Sequence, residues 1–332
     1  MIIIIISGIK DSSATGPYTI GIKMTAWLIT NGFLHTYKFT EINLWLVEAA
    51  KKAGVELIIK TNKEVLVQLG SKNSTEHIEV GKGRPDFILF WDKDVRLAEY
   101  LELKELPVFN SARSIAICDD KSLTHLYLQS SGIKMPKTIL APMTYSNIGY
   151  TSMDFLEQVI EELSFPMVVK ECFGSFGQQV YLTYNKKELE EKVKEIQPKP
   201  MLFQEFIETS SGKDVRLQVV GDQVVASMYR YSDTGDFRAN ITNGGKMKAY
   251  HPTKEQKDLA VRCCKILGLD FAGVDILFGE KDEPIVCEVN SNAHFRNIFD
   301  CTGVNAADYI MEHILKRLSD SIKSSDKKAR SY

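Results

Sequence analysis

Near its carboxyl end the chain reads Cys287-Glu288-Val289-Asn290-Ser291-Asn292. Glu288 and Asn290 are two residues apart on a predicted strand, so both project from the same face. Asp275 lies on the preceding predicted strand, residues 272–278, which can pair with this one as a hairpin. Three hard oxygen ligands on one face suit Mg²⁺, so Asp275, Glu288 and Asn290 are predicted metal ligands. The alternative is that Glu288 and Asn290 form the solvent side of an edge strand.

A second candidate site lies where a predicted strand, residues 165–170, runs into a glycine-bearing loop. The strand ends at Lys170, and the loop contains Gly174, Ser175 and Gly177. Glycines let backbone N–H groups approach an anion, so the pattern predicts a phosphate clamp. The loop leads into another strand, which excludes the dinucleotide-binding fingerprint, and it lacks the Gly-Lys-Ser/Thr of a Walker loop. An ordinary hairpin turn is the alternative.

The segment Gln204-Glu205-Phe206-Ile207 is an apolar strand carrying polar groups. A strand between two lobes can offer backbone groups to an adenine edge above an apolar floor. An ordinary connecting strand is the alternative.

Several charged residues are predicted to share the carboxyl-terminal sheet and its loops. Arginines near a nucleotide can neutralise charge on a phosphoryl group, although each is more often part of a surface ion pair. The set comprises Asp214, Arg216, Arg230, Arg238 and Asn240.

Strands alternate with helices over residues 24–115, which predicts a small α/β domain with a parallel sheet. Beyond it, residues 116–322 are predicted to form two sheet-plus-helix lobes, at about 135–200 and about 201–322. Within the second lobe, Gly221-Asp222 predicts a hairpin turn. Residues 1–23 have three open interpretations: an extra strand, an added segment, or sequence upstream of a start at Met24. Residues 323–332 are expected to form a frayed basic tail.

The composition is that of a soluble globular protein: 332 residues, 44% hydrophobic and 25% charged, with a formal charge of -2. This charge gives no reason to expect a nucleic-acid partner. The amino-terminal isoleucine run is too short to span a membrane and lacks a positive flank, so no membrane association is expected. Six cysteines without repeated spacing predict reduced thiols and a cytoplasmic location.

Taken together and in order, these segments resemble the ATP-grasp superfamily, specifically the RimK-type α-L-glutamate ligases. The resemblance covers about residues 110–316 and implies an ATP-grasp fold preceded by a small parallel-sheet domain. The similar stretches are residues 120–121, 169–170, 204–207, 212–216, 219–226, 235–240, 272–277, 288–292 and 302–303.

The resemblance implies a role for each candidate residue. Lys121 and Lys170 would contact ATP phosphates beneath the closing loop of Gly174, Ser175 and Gly177. The adenine would lie against Gln204, Glu205, Phe206 and Ile207, and the ribose against Asp214. Mg²⁺, with Mn²⁺ as the alternative ion, would be held by Asp275, Glu288 and Asn290. Arg238 would stabilise the transferred γ-phosphoryl group, supported by Asn240 and Lys170.

The implied activity is that of an ATP-dependent carboxylate–amine ligase working through an acyl phosphate. Its partners would be an amino acid and a carboxylate acceptor, whether small molecule, peptide or protein; homo-oligomerisation is left open. The alternatives are a ligase for a carrier protein or ribosomal peptide, an ATP-grasp kinase, and a non-catalytic nucleotide-binding module.

The sequence departs from many family members after Asn292, where Ala293-His294-Phe295-Arg296-Asn297 replaces a Pro-Gly turn. This departure puts glutamate as the transferred amino acid in doubt. His294 and Arg296, with Arg216 and Arg230, are candidate substrate contacts. The alternative for His294 and Arg296 is that they only pack and solvate the loop.

Overall fold

The computed structural model describes residues 24–70, 83–175 and 177–329. The interpretations of residues 1–23 therefore lie outside the described residues. Across the described ranges the chain forms three sheets with helices on their faces, an α/β architecture with α+β lobes. In these ranges no helix is both long and apolar enough to cross a membrane.

The first sheet is parallel and has the strand order β2-β1-β3-β4. A described helix follows the first strand and the third strand in chain order and leads to the next strand, and the buried strands are almost continuously apolar. The strands are β1 (Met24–Thr30), β2 (Val55–Thr61), β3 (Phe87–Phe90) and β4 (Val108–Phe109), and the helices are α1 (Tyr37–Lys52), α2 (Val95–Leu103) and α3 (Ala112–Asp119). Helix α4 (Lys121–Ser130) follows and leads into the second sheet.

The second sheet is antiparallel, with the order β5-β8-β6-β7. Alternation divides its residues: Met167, Val169 and Phe203 enter an apolar core, whereas Lys170 and Gln204 point to the opposite face. Its elements are β5 (Thr138–Leu140), α5 (Phe155–Leu163), β6 (Met167–Glu171), β7 (Val180–Thr183), α6 (Lys186–Ile196) and β8 (Met201–Glu205).

The third sheet is also antiparallel, with the order β11-β10-β9-β12-β13. The predicted hairpin at Gly221-Asp222 is confirmed, since β9 and β10 pair on either side of that turn. The strands are β9 (Lys213–Val220), β10 (Gln223–Tyr231), β11 (Lys246–Ala249), β12 (Phe271–Phe278) and β13 (Pro284–Asn290).

One face of the third sheet packs on helix α7 (Lys254–Leu267), and Val215, Leu217 and Val219 of β9 enter that core. On the opposite face lie Asp214, Arg216 and Gln218, whereas Val220 at the end of the strand packs in the core shared with the first sheet. Along most of β9, alternation thus places apolar side chains on one face and polar side chains on the other.

The first and third sheets share a continuous core. Helix α8 (Arg296–Thr302) precedes helix α9 (Ala306–Ala329). Helix α9 packs against α1 and buries Ile310 beside Phe271 of β12 and Phe295. The side chain of Asn110, just after β4, joins the two sheets by accepting from the Asp270 and Phe271 amides at 2.6 and 3.3 Å. It also donates to the carbonyls of Phe271 and Ser291, at 2.9 and 2.8 Å. Asn110 therefore ties the start of β12 to the end of β13.

Candidate functional site

A pocket opens between the second and third sheets, and most of the predicted site residues line it. The predicted residues at its wall are Lys121, Lys170, Gly177, Gln204, Glu205, Phe206, Ile207, Asp214, Arg230, Arg238, Asn240, Asp275 and Glu288. Gly174, Ser175, Arg216, Asn290, His294 and Arg296 do not line it in the described structure. The structure thus gathers most of the predicted nucleotide and phosphate residues at one pocket, whereas three of the four predicted substrate residues, Arg216, His294 and Arg296, do not line it.

The two lysines enter the pocket from different elements. Lys170 is on β6, whereas Lys121 is the first residue of α4, whose amino end is capped by Asp120 accepting from the Ser122 amide at 2.8 Å. Lys121 Nζ lies 3.5 Å from a Glu288 carboxylate oxygen and donates to the Gly174 carbonyl at 3.2 Å. Lys121 therefore joins α4, the glycine-bearing loop and β13.

The glycine-bearing loop joins β6 to the antiparallel β7, as predicted. Gly174 has φ +150°, a backbone conformation that residues with a β-carbon rarely adopt, so the loop favours glycine at this position. Arg238 Nη1 donates to the Gly177 carbonyl at 3.0 Å, and Lys93 Nζ contacts Ser175 Oγ at 3.3 Å. Two cationic side chains thus hold the loop: Arg238, from the segment between β10 and β11, and Lys93, from the segment that follows β3.

The side chain of Arg238 is held by Asp236, two residues earlier in the chain. Its guanidinium donates to both carboxylate oxygens of Asp236, at 3.0 and 2.8 Å, and this contact raises the pKa of Arg238. The two-point geometry orients the guanidinium plane at the pocket wall. The ring of Phe237 lies 6.1 Å from that of Phe206, which adds apolar surface to the same wall.

Four charged residues form a buried network on the third sheet. Asp214 receives two hydrogen bonds from Arg230, both at 2.7 Å, and Asp275 receives two from Arg216, both at 2.6 Å. Arg230 also reaches Asp275 at 3.0 Å. Burial opposes ionisation of Asp275, but the Arg216 and Arg230 charges outweigh it and hold the pKa of that carboxyl below its ordinary value.

The predicted metal ligands share one face of β12 and β13. Asp275 and Glu288 are cross-strand partners, and Asn290 lies two residues beyond Glu288. Asn290 Nδ2 is buried without a hydrogen-bond partner. Among the described residues no three His, Cys, Asp or Glu side chains gather into a metal-binding cluster. Two carboxylates and an amide are nevertheless a donor set that fits Mg²⁺, which keeps waters and takes phosphate oxygens as its other ligands.

His294 and Arg296 contact helix α1, away from the pocket. His294 Nε2 lies 2.9 Å from the Lys38 carbonyl oxygen, and burial lowers the pKa of this histidine. Arg296 forms ion pairs with Glu41 and Asp300. Just before them, Ala293 packs over Gly273, where an added β-carbon would lie 2.5 Å from Ala293 Cβ. Their placement favours the packing interpretation of these two residues.

Sequence reasoning missed several residues at or beside the pocket, among them Cys287 and His125. Cys287 is the extra residue of an irregularity in the pairing of β12 with β13, so both Cys287 and Glu288 reach the pocket wall. His125, on α4, contacts Gln204. A bulge leaves no mark in an alternating pattern, and a lone helical histidine has no distinctive spacing, so neither carried a signal in the sequence.

Comparison with known proteins identifies the family. A profile of the RimK-like ATP-grasp domain matches residues 118–314. An uncharacterised protein of Mycoplasma genitalium is 35% identical over 62% of this chain and 72% of its own length. A probable alpha-L-glutamate ligase of Syntrophotalea carbinolica is 38% identical over 65% of this chain and 69% of its own. Human N-acetylaspartylglutamate synthase A is 32% identical over 68% of this chain and 57% of its own.

Solved structures agree on the fold. A RimK domain ATP-grasp protein from Sphaerobacter thermophilus superposes with a TM-score of 0.66 at 20% identity, covering 87% of this chain and 98% of that one. The D-alanine–D-alanine ligase of Bacillus anthracis gives a TM-score of 0.66 at 18% identity, covering 90% and 99%. With its profile match, its relatives and its fold in agreement, the chain belongs to the RimK-like ATP-grasp family of ATP-dependent ligases that form carbon–nitrogen bonds.

Proposed function

We propose that the protein activates a carboxylate with the γ-phosphoryl group of ATP and joins it to the amino group of an amino acid. One observation carries this proposal: Lys121, Lys170 and Arg238 meet the carboxylates of Asp275 and Glu288 at a single pocket. Cations oppose the charge of phosphoryl oxygens, whereas carboxylates at the same wall suit the metal ion that accompanies ATP.

In this proposal Lys121 and Lys170 bind phosphate oxygens, and the loop that contains Gly174 and Gly177 closes over them. Closure would exclude water from an acyl phosphate, which water would otherwise hydrolyse. The adenine lies against residues 204–207, and Asp214 lies on the ribose side. Asn240, on the same pocket wall as Arg238, supports it.

Asp275, Glu288 and Asn290 would hold Mg²⁺, for which Mn²⁺ is the alternative. When bound, the ion supplies charge neutralisation at the phosphate oxygens. The chain's own cations and backbone amides orient the reactants, so no nucleophilic Ser or Cys is required.

Glutamate is the first amine to test, because one relative is named a probable alpha-L-glutamate ligase and another an N-acetylaspartylglutamate synthase. The chain spans 57% of the latter, so its substrates are a guide to the assay only. Arg216 and Arg230 each donate twice, to the carboxylates of Asp275 and Asp214, and of the two Arg230 is among the described residues that line the pocket.

The test measures phosphate release from ATP and Mg²⁺ with a panel of amino acids and carboxylate acceptors, together with mass spectrometry of the products. We expect release that depends on both substrates and a product that contains a new amide bond. A stable phosphoester formed without phosphate release would replace the proposal by the kinase alternative. ATP binding without turnover on the small-molecule panel would move the search to peptide and carrier-protein acceptors, and absence of ATP binding would contradict the proposal.

A further inference from the structure

A chain of buried hydrogen bonds connects the first turn of α4 to the Lys170 ammonium group. His125 Nδ1 lies 2.8 Å from the Lys121 carbonyl oxygen, and His125 Nε2 lies 2.9 Å from Gln204 Nε2. Lys170 Nζ donates to Gln204 Oε1 at 2.6 Å. His125, Gln204 and Lys170 are only 6%, 2% and 7% exposed. Gln204 and Lys170 are among the described residues of the pocket wall and His125 is not, so His125 acts on the pocket through Gln204.

The chemistry of each partner fixes which atom donates and which accepts in each of these hydrogen bonds. A carbonyl oxygen can only accept, so His125 Nδ1 carries the ring hydrogen that it donates to Lys121. Burial lowers the pKa of His125 to about 4, so the ring is neutral and its Nε2 is an acceptor. The Gln204 amide must then turn its NH₂ group to His125. Its oxygen consequently faces Lys170.

Thr138 supports the same orientation. Its hydroxyl donates to the Pro136 carbonyl at 2.8 Å and therefore accepts from Gln204 Nε2, at 2.9 Å. The two hydrogens of the Gln204 amide thus have separate acceptors on two elements, α4 and β5. An amide reversed at this position would place its oxygen against the Nε2 lone pair of His125.

This arrangement suits a lysine that has to keep its charge. A lysine ammonium sits on a flexible stem, and a fixed acceptor reduces its freedom. Gln204 supplies that acceptor without adding a negative charge. Within the described ranges Lys170 has no ion-pair partner, and its other polar contact is Cys287 Sγ at 3.8 Å. Lys121, in contrast, already faces the Glu288 carboxylate.

We infer that His125 is a positioning residue, which holds the Gln204 amide in the orientation that presents its oxygen to Lys170 and so aims the Lys170 ammonium at the ATP phosphates. The inference rests on the proposed function for the identity of the phosphate ligand. It goes beyond that function by assigning a role to a residue outside the pocket wall.

The test compares two substitutions at one position. His125→Leu removes the acceptor, whereas His125→Gln can return an amide oxygen close to the place of Nε2. Leu128→Ala is the control, because Leu128 is a buried α4 residue that packs in the apolar cluster around α7 and has no polar side-chain atom with which to join the hydrogen-bond chain. Binding of a non-hydrolysable ATP analogue with Mg²⁺ is measured by calorimetry, and kcat and KM are measured with the substrates that support turnover.

We expect His125→Leu to weaken analogue binding roughly tenfold and to lower kcat, since it removes support from a charge-assisted hydrogen bond. The KM of the carboxylate and of the amine should stay within about twofold, and His125→Gln should recover most of the affinity. Leu128→Ala should lower the Tm without changing the analogue affinity. Unchanged affinity in His125→Leu, or equal losses in the Leu and Gln variants, would overturn the inference.

Two further measurements keep the result decisive. If His125→Leu does not fold, His125→Phe replaces it under the same criteria. Nitrogen NMR of the wild-type ring reports the tautomer directly, and a hydrogen on Nε2 would reverse the Gln204 amide and refute the inference without any variant. Analogue binding needs no amine or carboxylate, so failure of the proposed ligase activity would be seen separately, as binding without turnover.

Discussion

Arg216 and Asp275 lie opposite each other on β9 and β12, and Arg216 donates through Nε and Nη2 to both Asp275 carboxylate oxygens at 2.6 Å. Asp275 is only 4% exposed. A metal ion at Asp275 would therefore bind a carboxylate that already accepts hydrogen bonds from Arg216. The Arg216–Asp275 ion pair thus affects both the stability of the sheet and the free energy of metal binding.

Arg216→Met is expected to destabilise the fold by about 3 kcal/mol, because removal of one partner leaves a buried carboxylate with fewer donors. Arg230 remains 3.0 Å from Asp275, which keeps the loss at the lower end for a buried pair. Urea unfolding at neutral pH measures the effect. Arg96→Met, at an exposed position on α2, is the control and should change stability by less than about 0.5 kcal/mol. Equal stability of the two variants would show that the network contributes nothing.

Glu288→Gln is expected to reduce Mg²⁺-dependent phosphate release roughly a hundredfold, because an amide oxygen is a weaker ligand for a hard cation. The fold should survive, since the Glu288 side chain is 31% exposed and its contact with Lys121 is 3.5 Å long. Glu283→Gln makes the same change near the start of β13, at a residue paired with Lys134, and should leave turnover unchanged. Normal turnover in Glu288→Gln would remove Glu288 from the proposed metal site.

The sequence predicted the main features of the third sheet because they follow from alternation. Asp275 and Glu288 were expected on paired strands, and their register confirms it. The pairing of β9 with β10 likewise follows from Gly221-Asp222, a turn whose glycine has φ +57°. Helix α1 begins at Tyr37 without a side-chain cap from Thr36, so no capping contact marks its start. Periodicity located these elements, whereas their ends depend on local contacts.

Contacts between segments far apart in the chain could not be predicted from the sequence. His294 and Arg296 were candidate substrate contacts from the bulk and charge of their loop, with packing as the alternative, but in the structure they contact Lys38 and Glu41 of α1. The hydrogen bonds of the Asn110 side chain to Asp270 and Ser291 likewise join residues far apart in the chain. No local pattern encodes such a relation, because it arises only when the sheets meet.

Gln218→Leu is expected to stabilise the protein by about 1 kcal/mol. Gln218 is on β9, on the same face as Arg216, and it is fully buried with neither side-chain polar atom hydrogen-bonded. A buried polar group without a partner costs free energy, and an apolar side chain of similar size avoids that cost. The Tm should rise by about 2–4 °C. Gln218→Glu should lower it, and a destabilised Leu variant would indicate that the amide has a partner in solution.

Stability in acid should depend on His125. Its pKa is about 4 in the folded protein against 6.5 for an unperturbed histidine, mainly because burial disfavours the charged ring. The unfolded chain therefore binds a proton more readily, so the contribution of the neutral ring is complete above about pH 6.5 and declines as the pH falls towards 4. His125→Gln has no titrating ring at this position. Between pH 7 and 4 its free energy of unfolding should therefore fall by about 3 kcal/mol less than that of the wild type. Urea unfolding from pH 7 to 4 measures the difference, with His251→Gln as an exposed-histidine control. Parallel pH profiles for the wild type and His125→Gln would mean that the ring is not held neutral, and the fixed orientation of Gln204 would lose its physical basis.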